Sequence, residues 1–264
     1  FSHHGHRKLV LRQGWENMMD FGWLSWLMKR MELIRGNVFM PMSKVPLIIN
    51  AFGGPYFPDP DVESTSVDGR VSRNTVDEIF STIRTSAGND SNDLATTVAA
   101  TISASATTDQ YDVCNRFATL FDTSAIPDAD VISIATYSPY ETGTTINQFS
   151  STINGTVVVC APASNTALVN ADYNIANWTM TAQNTTDLSI ASWADEAYQD
   201  LGLNATGITN ISKTGITKFG LVLSTDRTNS APTWGSNQTA QISSATAEAA
   251  GTSTDPKLSG TSSG

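Results

Sequence analysis

The sequence has few charged residues and lacks any long apolar run. Charged side chains make up 15% of the 264 residues, and acidic residues outnumber basic ones by 25 to 15. The resulting net charge of −10 argues against nucleic acid as a partner, because phosphate binding needs clustered Lys and Arg. No stretch approaches the roughly 18 apolar residues of a membrane-spanning helix. We therefore expect neither a nucleic-acid partner nor a membrane partner.

Histidine is absent from the chain after His6. All three histidines, His3, His4 and His6, lie at the start of the sequence. The remainder therefore has no Ser-His-Asp or Cys-His arrangement and no histidine-ligated zinc site. The glycine-rich phosphate loop and the dinucleotide-binding fingerprint are missing as well. These absences predict a protein that is not an enzyme.

Only two cysteines occur, Cys114 and Cys160, and they are far apart in the sequence. Two small buried thiols are the expected state, because unpaired cysteine is among the residue types most often buried. A disulfide stays open as the alternative if the chain is exported.

The first 41 residues differ in composition from the rest. They hold all the histidines and three of the six tryptophans. The segment Phe21–Met31 is compatible with an amphipathic helix, but Lys29 and Arg30 stand where a signal peptide would have small residues. We expect residues 1–41 to be a separate helical or disordered segment, either a truncated upstream element or translated sequence that is extraneous to the protein. Residues 42–264 are expected to form one domain.

Strand patterns recur from residue 42 onward, separated by polar turn clusters. Helix signals are short, and the clearest one, 204–215, begins at Asn204 as a possible N-cap. This pattern predicts an all-β protein, a jelly-roll β-sandwich with one or two short helices. The polar segment that follows Leu258 does not predict a closing strand. The predicted strands are 45–50, 78–85, 94–105, 113–121, 131–139, 156–161, 198–203, 215–224 and 241–248.

The segment Arg116–Tyr137, RFATLFDTSAIPDADVISIATY, reads as two strands joined by a turn. Asp122 can accept a hydrogen bond from the backbone N–H of Ser124 and so close the turn. Pro127 has no N–H and ends strand pairing there. A turn therefore accounts for Asp122 without a catalytic role.

The same segment resembles the signature FD-x-S-x-IP of DNRLRE-type jelly-roll domains, which look like carbohydrate-binding modules. Four further segments resemble parts of related β-sandwich proteins. They are SVDGRVSR (66–73), ADYNIANW (171–178), LNATGITNISKTGITKFGL (203–221) and TDPKL (254–258). The resemblance implies a sandwich fold of the kind found in environmental phage and bacterial surface proteins. It is a weaker guide to function, because such folds support many functions.

A sugar-binding surface presents aromatic rings beside polar side chains. The candidate ligand-binding residues are Trp234, Tyr137, Tyr140 and Arg227. Trp234 lies in the loop SAPTWGSN and is expected to be exposed, whereas Trp178 and Trp193 are expected in the core.

Closely spaced acidic residues predict a metal site. PDPDVE places carboxylates on a loop, where their oxygens suit calcium and its flexible coordination. The resemblance to jelly-roll binding modules implies the same ion in a structural role. The candidate metal ligands are Asp59, Asp61, Glu63 and Asp68.

The sequence thus predicts a non-catalytic binding or structural module on a virion, or on an extracellular or cell surface. A glycan or host-surface polysaccharide is the expected partner, and the oligomeric state stays open. Two alternatives remain. The chain could be a carbohydrate-binding module of a larger secreted polysaccharide-active enzyme, or a glycoside hydrolase that uses two carboxyl groups.

Overall fold

A computed structural model describes residues 50–60 and 63–264 of the chain, so the expectations for residues 1–41 and for a strand at 45–49 lie outside the described residues. The strands are β1 (Asn50–Ala51), β2 (Asp68–Ile79), β3 (Asp90–Asn92), β4 (Thr97–Ala104), β5 (Gln110–Asp122), β6 (Val131–Ser138), β7 (Ile146–Asn147), β8 (Asn154–Cys160), β9 (Trp178–Thr179), β10 (Leu188–Ser189), β11 (Leu201–Gly202), β12 (Ile216–Leu223), β13 (Thr239–Ala245) and β14 (Lys257–Ser263). The α-helices are α1 (Phe80–Thr85), α2 (Ala205–Thr209) and α3 (Ser224–Thr228). Short 3-10 turns lie at Asn170–Tyr173, Ile175–Asn177 and Ile190–Ser192. No helix in the described part of the chain has the length and apolar character needed to cross a membrane.

Eight of the strands have jelly-roll connectivity. Their order is β1-β14-β6-β11 in one sheet and β10-β8-β12-β5 in the other, and all neighbours are antiparallel. The first described strand therefore lies beside the last one, and the chain crosses between the sheets from β5 to β6 and from β11 to β12. This order is that of a double-sheet jelly roll, which confirms the predicted fold class.

Additional strands extend the larger sheet around β5. One edge of β5 pairs with β2 along most of its length, and β2 also pairs with β3. The other edge is divided between β12, which pairs with the C-terminal half of β5, and β4, which pairs with the N-terminal half. Strands β13 and β7 continue the sheet beyond β4. The N-terminal half of β5 thus lies outside the jelly roll itself.

The core lies between the two sheets. Tyr137 of β6 packs edge-on against Phe121 of β5, with ring centroids 6.1 Å apart, and its hydroxyl lies 2.9 Å from that of Thr119. Trp178 and Trp193 are buried, as predicted. Cys114 and Cys160 are unpaired buried thiols, and burial raises the pKa of each to about 12.

One local prediction is wrong and another is confirmed. The predicted strand at 78–85 is wrong, because β2 ends at Ile79 and α1 follows. Phe80 and Ile83 are three residues apart and both buried, a spacing that a helix satisfies. The turn after β5 is confirmed, since Asp122 Oδ1 accepts the N–H of Ser124 at 3.0 Å.

A buried ion pair connects β5 to α3, the short helix that follows β12. Arg116 is 0% exposed, and its Nε and Nη2 donate to the two carboxylate oxygens of Asp226 at 2.7 and 3.0 Å. Its guanidinium also lies 4.3 Å from the ring centroid of Tyr173. Arg84 adds a second cation, with Nε 3.0 Å from Asp226 Oδ1. This network fills a part of the core that an apolar cluster would otherwise occupy.

Glu141, just after β6, is a buried carboxylate with a full set of donors. It is 0% exposed and accepts the backbone N–H groups of Gly143, Thr144, Thr145 and Glu196 at 2.6 to 3.1 Å. Burial alone would raise the pKa of Glu141, but these donors outweigh it and the pKa is lowered. Its role is to hold the loop that leaves β6.

Candidate functional site

A cleft of about 630 Å³ opens where α1, the start of β5 and the loop after α3 meet. It lies beside the part of β5 that extends out of the jelly roll, and α1, the start of β5 and the loop after α3 form its walls. The lining residues are Ile79, Phe80, Ser81, Asp109, Tyr111, Asn229, Ala231, Pro232, Thr233 and Trp234.

The floor of the cleft is aromatic and fixed. Phe80 and Tyr111 pack edge to face with centroids 5.3 Å apart. The hydroxyl of Tyr111 donates to the carbonyl of Pro232 at 2.7 Å, which anchors the loop that carries Trp234. These contacts connect α1, β5 and the loop after α3 at the base of the cleft.

Trp234 is half-buried and packs partly against the core. Its Nε1 is covered and has no hydrogen-bond partner among the described residues. Trp234 therefore contributes ring carbon atoms to the surface of the cleft rather than a hydrogen-bond donor. An apolar ring surface of this kind suits stacking against a flat, weakly polar ligand face.

Polar groups stand at the rim of this apolar floor. Asp109 and Asn229 both have left-handed backbone conformations, with φ of 59° and 54°, at tight turns. Ser81 and Thr233 add hydroxyl groups to the lining. Asp109 is the one charged residue among the lining residues, so the cleft has no cation with which to bind an acidic ligand.

Of the four predicted ligand-binding residues, only Trp234 lines the cleft. The prediction for Tyr137 is wrong, because its ring is 0% exposed in the core. Tyr140 packs against Tyr198 and donates to the carbonyl of Glu196, and Arg227 pairs with Asp187 at 2.6 Å. The structure does not bring Tyr140 or Arg227 to the cleft, and their binding role stays a prediction.

Sequence reasoning missed the other cleft residues. Asp109 and Asn229 lie in the polar segments 107–110 and 226–237, whose sequences predict only turns. Two turns more than 100 residues apart carry no local signal that they meet. Their proximity follows from the pairing of β5, β4 and β13, which strand patterns alone do not specify.

The predicted metal ligands separate into two groups. Asp59 turns its carboxylate toward its own loop, where the N–H groups of Ser64 and Thr65 donate to it at 2.9 and 2.7 Å. Burial opposes ionisation, but these hydrogen bonds outweigh it and lower the pKa of Asp59. Asp61 lies outside the described residues. Asp59 thus anchors its own loop, and its role as a metal ligand stays a prediction.

Glu63 and Asp68 instead belong to a group of four carboxylates, the acidic cluster, which also contains Glu248 and Asp255. Burial raises the pKa of Asp68 well above its ordinary value, and the charges of Glu248, Asp255 and Glu63 raise it further. Burial also raises the pKa of Asp255 to about 6. Glu248 and Asp255 come from the loop between β13 and β14, which sequence reasoning had not marked as a site.

The acidic cluster is not a preformed metal centre. Within residues 50–60 and 63–264, no three His, Cys, Asp or Glu side chains are placed to hold a metal ion as they stand. Two covered oxygens of the cluster, Glu63 Oε1 and Asp255 Oδ1, nevertheless have no hydrogen-bond partner in the described part of the chain. These oxygens are of the type that binds cations, but the side chains are not placed to hold a metal ion.

No protein-family model matches this sequence, and neither does any curated protein.

Proposed function

We propose that this chain is a non-catalytic β-sandwich module that binds a neutral carbohydrate in the cleft beside Trp234. The observation that carries the proposal is a fixed aromatic floor bordered by hydroxyl, amide and carboxylate groups. Sugars present an apolar C–H face and a hydroxyl edge, and both find matching groups in this cleft. The resemblance of Arg116–Tyr137 to DNRLRE-type jelly-roll domains agrees with such a role.

A neutral glycan fits better than an acidic one. The lining residues include one carboxylate, Asp109, and no basic residue, and the whole chain carries a net charge of −10. A uronate or sulfated sugar would therefore meet repulsion without a compensating ion pair. A neutral polysaccharide on a host surface is the proposed partner, and a virion or cell surface is the proposed location.

Binding fits the cleft better than hydrolysis does. Glycoside hydrolases use a pair of carboxyl groups on either side of the scissile bond. The lining residues supply Asp109 alone, and Glu248 and Asp255 belong to the separate acidic cluster. This single carboxylate supports a recognition role, in which it would accept hydrogen bonds from sugar hydroxyls.

The first test replaces Trp234 with alanine in the full chain and measures binding to an array of neutral and acidic glycans. We expect the unmodified chain to bind neutral glycans and Trp234→Ala to bind them at least about tenfold more weakly, because the stacking surface is lost. Trp234→Phe should retain part of the affinity. Thermal unfolding of each variant checks that it is folded.

Tyr140→Phe is the matched control, since it alters another predicted ligand-binding aromatic that lies away from the cleft. Its affinity should equal that of the unmodified chain. The proposal fails if the folded chain binds no neutral glycan, or if Tyr140→Phe weakens binding while Trp234→Ala does not.

A further inference from the structure

Two polar groups at the cleft beside Trp234 are not available to a ligand. Tyr111 is 2% exposed, and its hydroxyl already donates to the carbonyl of Pro232 at 2.7 Å. Nε1 of Trp234 is covered by the protein. These two residues therefore present carbon atoms to the cleft, although each has a hydrogen-bond donor in its side chain.

Three other lining side chains are exposed and available. Those of Ser81, Asp109 and Asn229 form no hydrogen bond with another residue in the described part of the chain. They offer a ligand one hydroxyl, one carboxylate and one amide group. A ligand that has hydroxyl groups on every side would exceed this supply, and a buried hydroxyl without a partner is unfavourable.

Ile79 gives the cleft an exposed apolar wall. It is 51% exposed, and it is the one exposed large apolar side chain of the described residues that lines the cleft. Its backbone is extended, and the next residue, Phe80, is 6% exposed. Adjacent side chains on extended backbone point to opposite sides, so the burial of Phe80 directs Ile79 away from the core.

The carboxylate of Asp109 lies near this apolar wall. Ile79 pairs with Gln110 of β5, and Asp109 immediately precedes Gln110 in the sequence. The strand pairing thus places an apolar group and a hydrogen-bond acceptor at neighbouring positions on one side of the cleft. The matching feature of a ligand is a methyl group next to a hydroxyl group.

We propose that the sugar bound in the cleft carries a methyl group, which packs on Ile79 while a neighbouring hydroxyl donates to Asp109. This inference rests on the proposed carbohydrate function and names the class of sugar that the cleft prefers. In a deoxyhexose such as L-fucose, a methyl group replaces the hydroxymethyl group. In an N-acetylhexosamine, the methyl group ends an acetamido group. In both, the neighbouring ring carbon carries a hydroxyl group.

The test measures the Kd of the full chain for matched sugars, each coupled to the same polymer carrier. L-Fucose and L-galactose differ only by a methyl against a hydroxymethyl group. N-Acetylglucosamine and glucose differ by an acetamido group against a hydroxyl. We expect the methyl-bearing member of at least one pair to bind about tenfold more tightly than its partner, because a methyl group packs on Ile79 and a hydroxyl finds no partner there. The pair that shows the preference identifies the source of the methyl group.

Two isoleucine substitutions locate the preference. Ile79→Thr keeps a branched side chain but adds a hydroxyl to the wall, so the preference should fall to about twofold or less. The unfolding temperature should change little, because Ile79 is exposed. Ile134→Thr is the matched control, since Ile134 is 62% exposed on β6 and is not among the lining residues. It should keep the full preference.

Asp109→Asn separates the polar contact from the apolar one. Asparagine tolerates the left-handed backbone of this position, where φ is 59°, but its amide is a weaker acceptor. Both members of a pair keep the hydroxyl that donates to Asp109. The substitution should therefore weaken both by similar factors and leave their ratio unchanged.

Neutral sugars that bind without a preference for the methyl-bearing member would overturn this inference and leave the carbohydrate proposal in place. A full preference in folded Ile79→Thr, or its loss in Ile134→Thr, would overturn the assignment to Ile79. A folded chain that binds no neutral sugar refutes the proposed function, and this inference with it.

Discussion

The Asp226→Ala chain should be destabilised by about 3–5 kcal/mol relative to the unmodified chain, because it leaves a buried guanidinium without its counter-ion. Arg116 is 0% exposed and donates twice to Asp226, and Arg84 relies on the same carboxylate. Removing Asp226 therefore leaves two cations uncompensated. Urea denaturation at neutral pH measures the change in the free energy of unfolding.

Two further variants identify the cause. Asp187→Ala breaks the ion pair with Arg227, whose side chains are 18% and 23% exposed, and should cost about 1 kcal/mol or less because water screens part of that interaction. The double variant Arg116→Met/Asp226→Leu should recover part of the stability lost in Asp226→Ala, since it removes the fully buried guanidinium and leaves Arg84 as the one cation that has lost this carboxylate. Equal losses for Asp226→Ala and Asp187→Ala would contradict this account.

The strands of the jelly roll were largely predictable from the sequence. β5, β6, β8 and β12 have alternating or continuous apolar residues, and each lies near its predicted position. β14 was not predicted, because its sequence KLSGTSS contains one large apolar residue, Leu258. It forms by backbone pairing between β1 and β6, and those hydrogen bonds do not depend on side-chain pattern.

β2 was missed for a similar reason. Its sequence DGRVSRNTVDEI is polar, with Val71 buried and Arg70 and Arg73 partly exposed. Those two arginines bind acidic partners, Asp90 and Glu78, instead of packing in the core. A hydrophobic pattern therefore could not reveal a strand that pairs with β5 along most of its length.

Two of the four residues of the acidic cluster could be predicted from the sequence. Glu63 and Asp68 stand out as acids near the start of a strand, while Glu248 and Asp255 are isolated acids in a Ser- and Thr-rich loop nearly 190 residues further along. A jelly roll places its first strand beside its last, so the loops near the two ends of the domain meet. That topological rule, applied to the sequence, would have directed attention to acids before β14.

The aromatic residues show what the sequence pattern could not predict, namely which of them are buried. Tyr137 and Trp234 both follow polar residues near turns, but one lies in the core and the other lines the cleft. Within a strand the side on which a residue lies depends on register, and Tyr137 of β6 faces Phe121 across the sandwich. Sequence pattern identifies the strand here, but the sheet that packs against it decides which face is buried.

The Glu141→Gln chain should be destabilised by roughly 2–4 kcal/mol at neutral pH, because an amide offers a weaker acceptor to four buried N–H groups and directs its own donor toward some of them. The effect should depend on pH in a defined direction. The pKa of Glu141 is lowered in the folded chain relative to its ordinary value of 4.5, so ionised Glu141 stabilises the fold above pH 4.5. That contribution is lost as the pH falls through the folded-state pKa. The stability gap between the unmodified chain and Glu141→Gln should therefore narrow in acid, as measured by urea denaturation across that range.

Glu196→Gln is the matched control, since it keeps the backbone N–H that Glu141 accepts and changes only an exposed side chain. A gap for Glu141→Gln that stayed constant with pH, or widened in acid, would show that the ionised carboxylate is not what holds this loop.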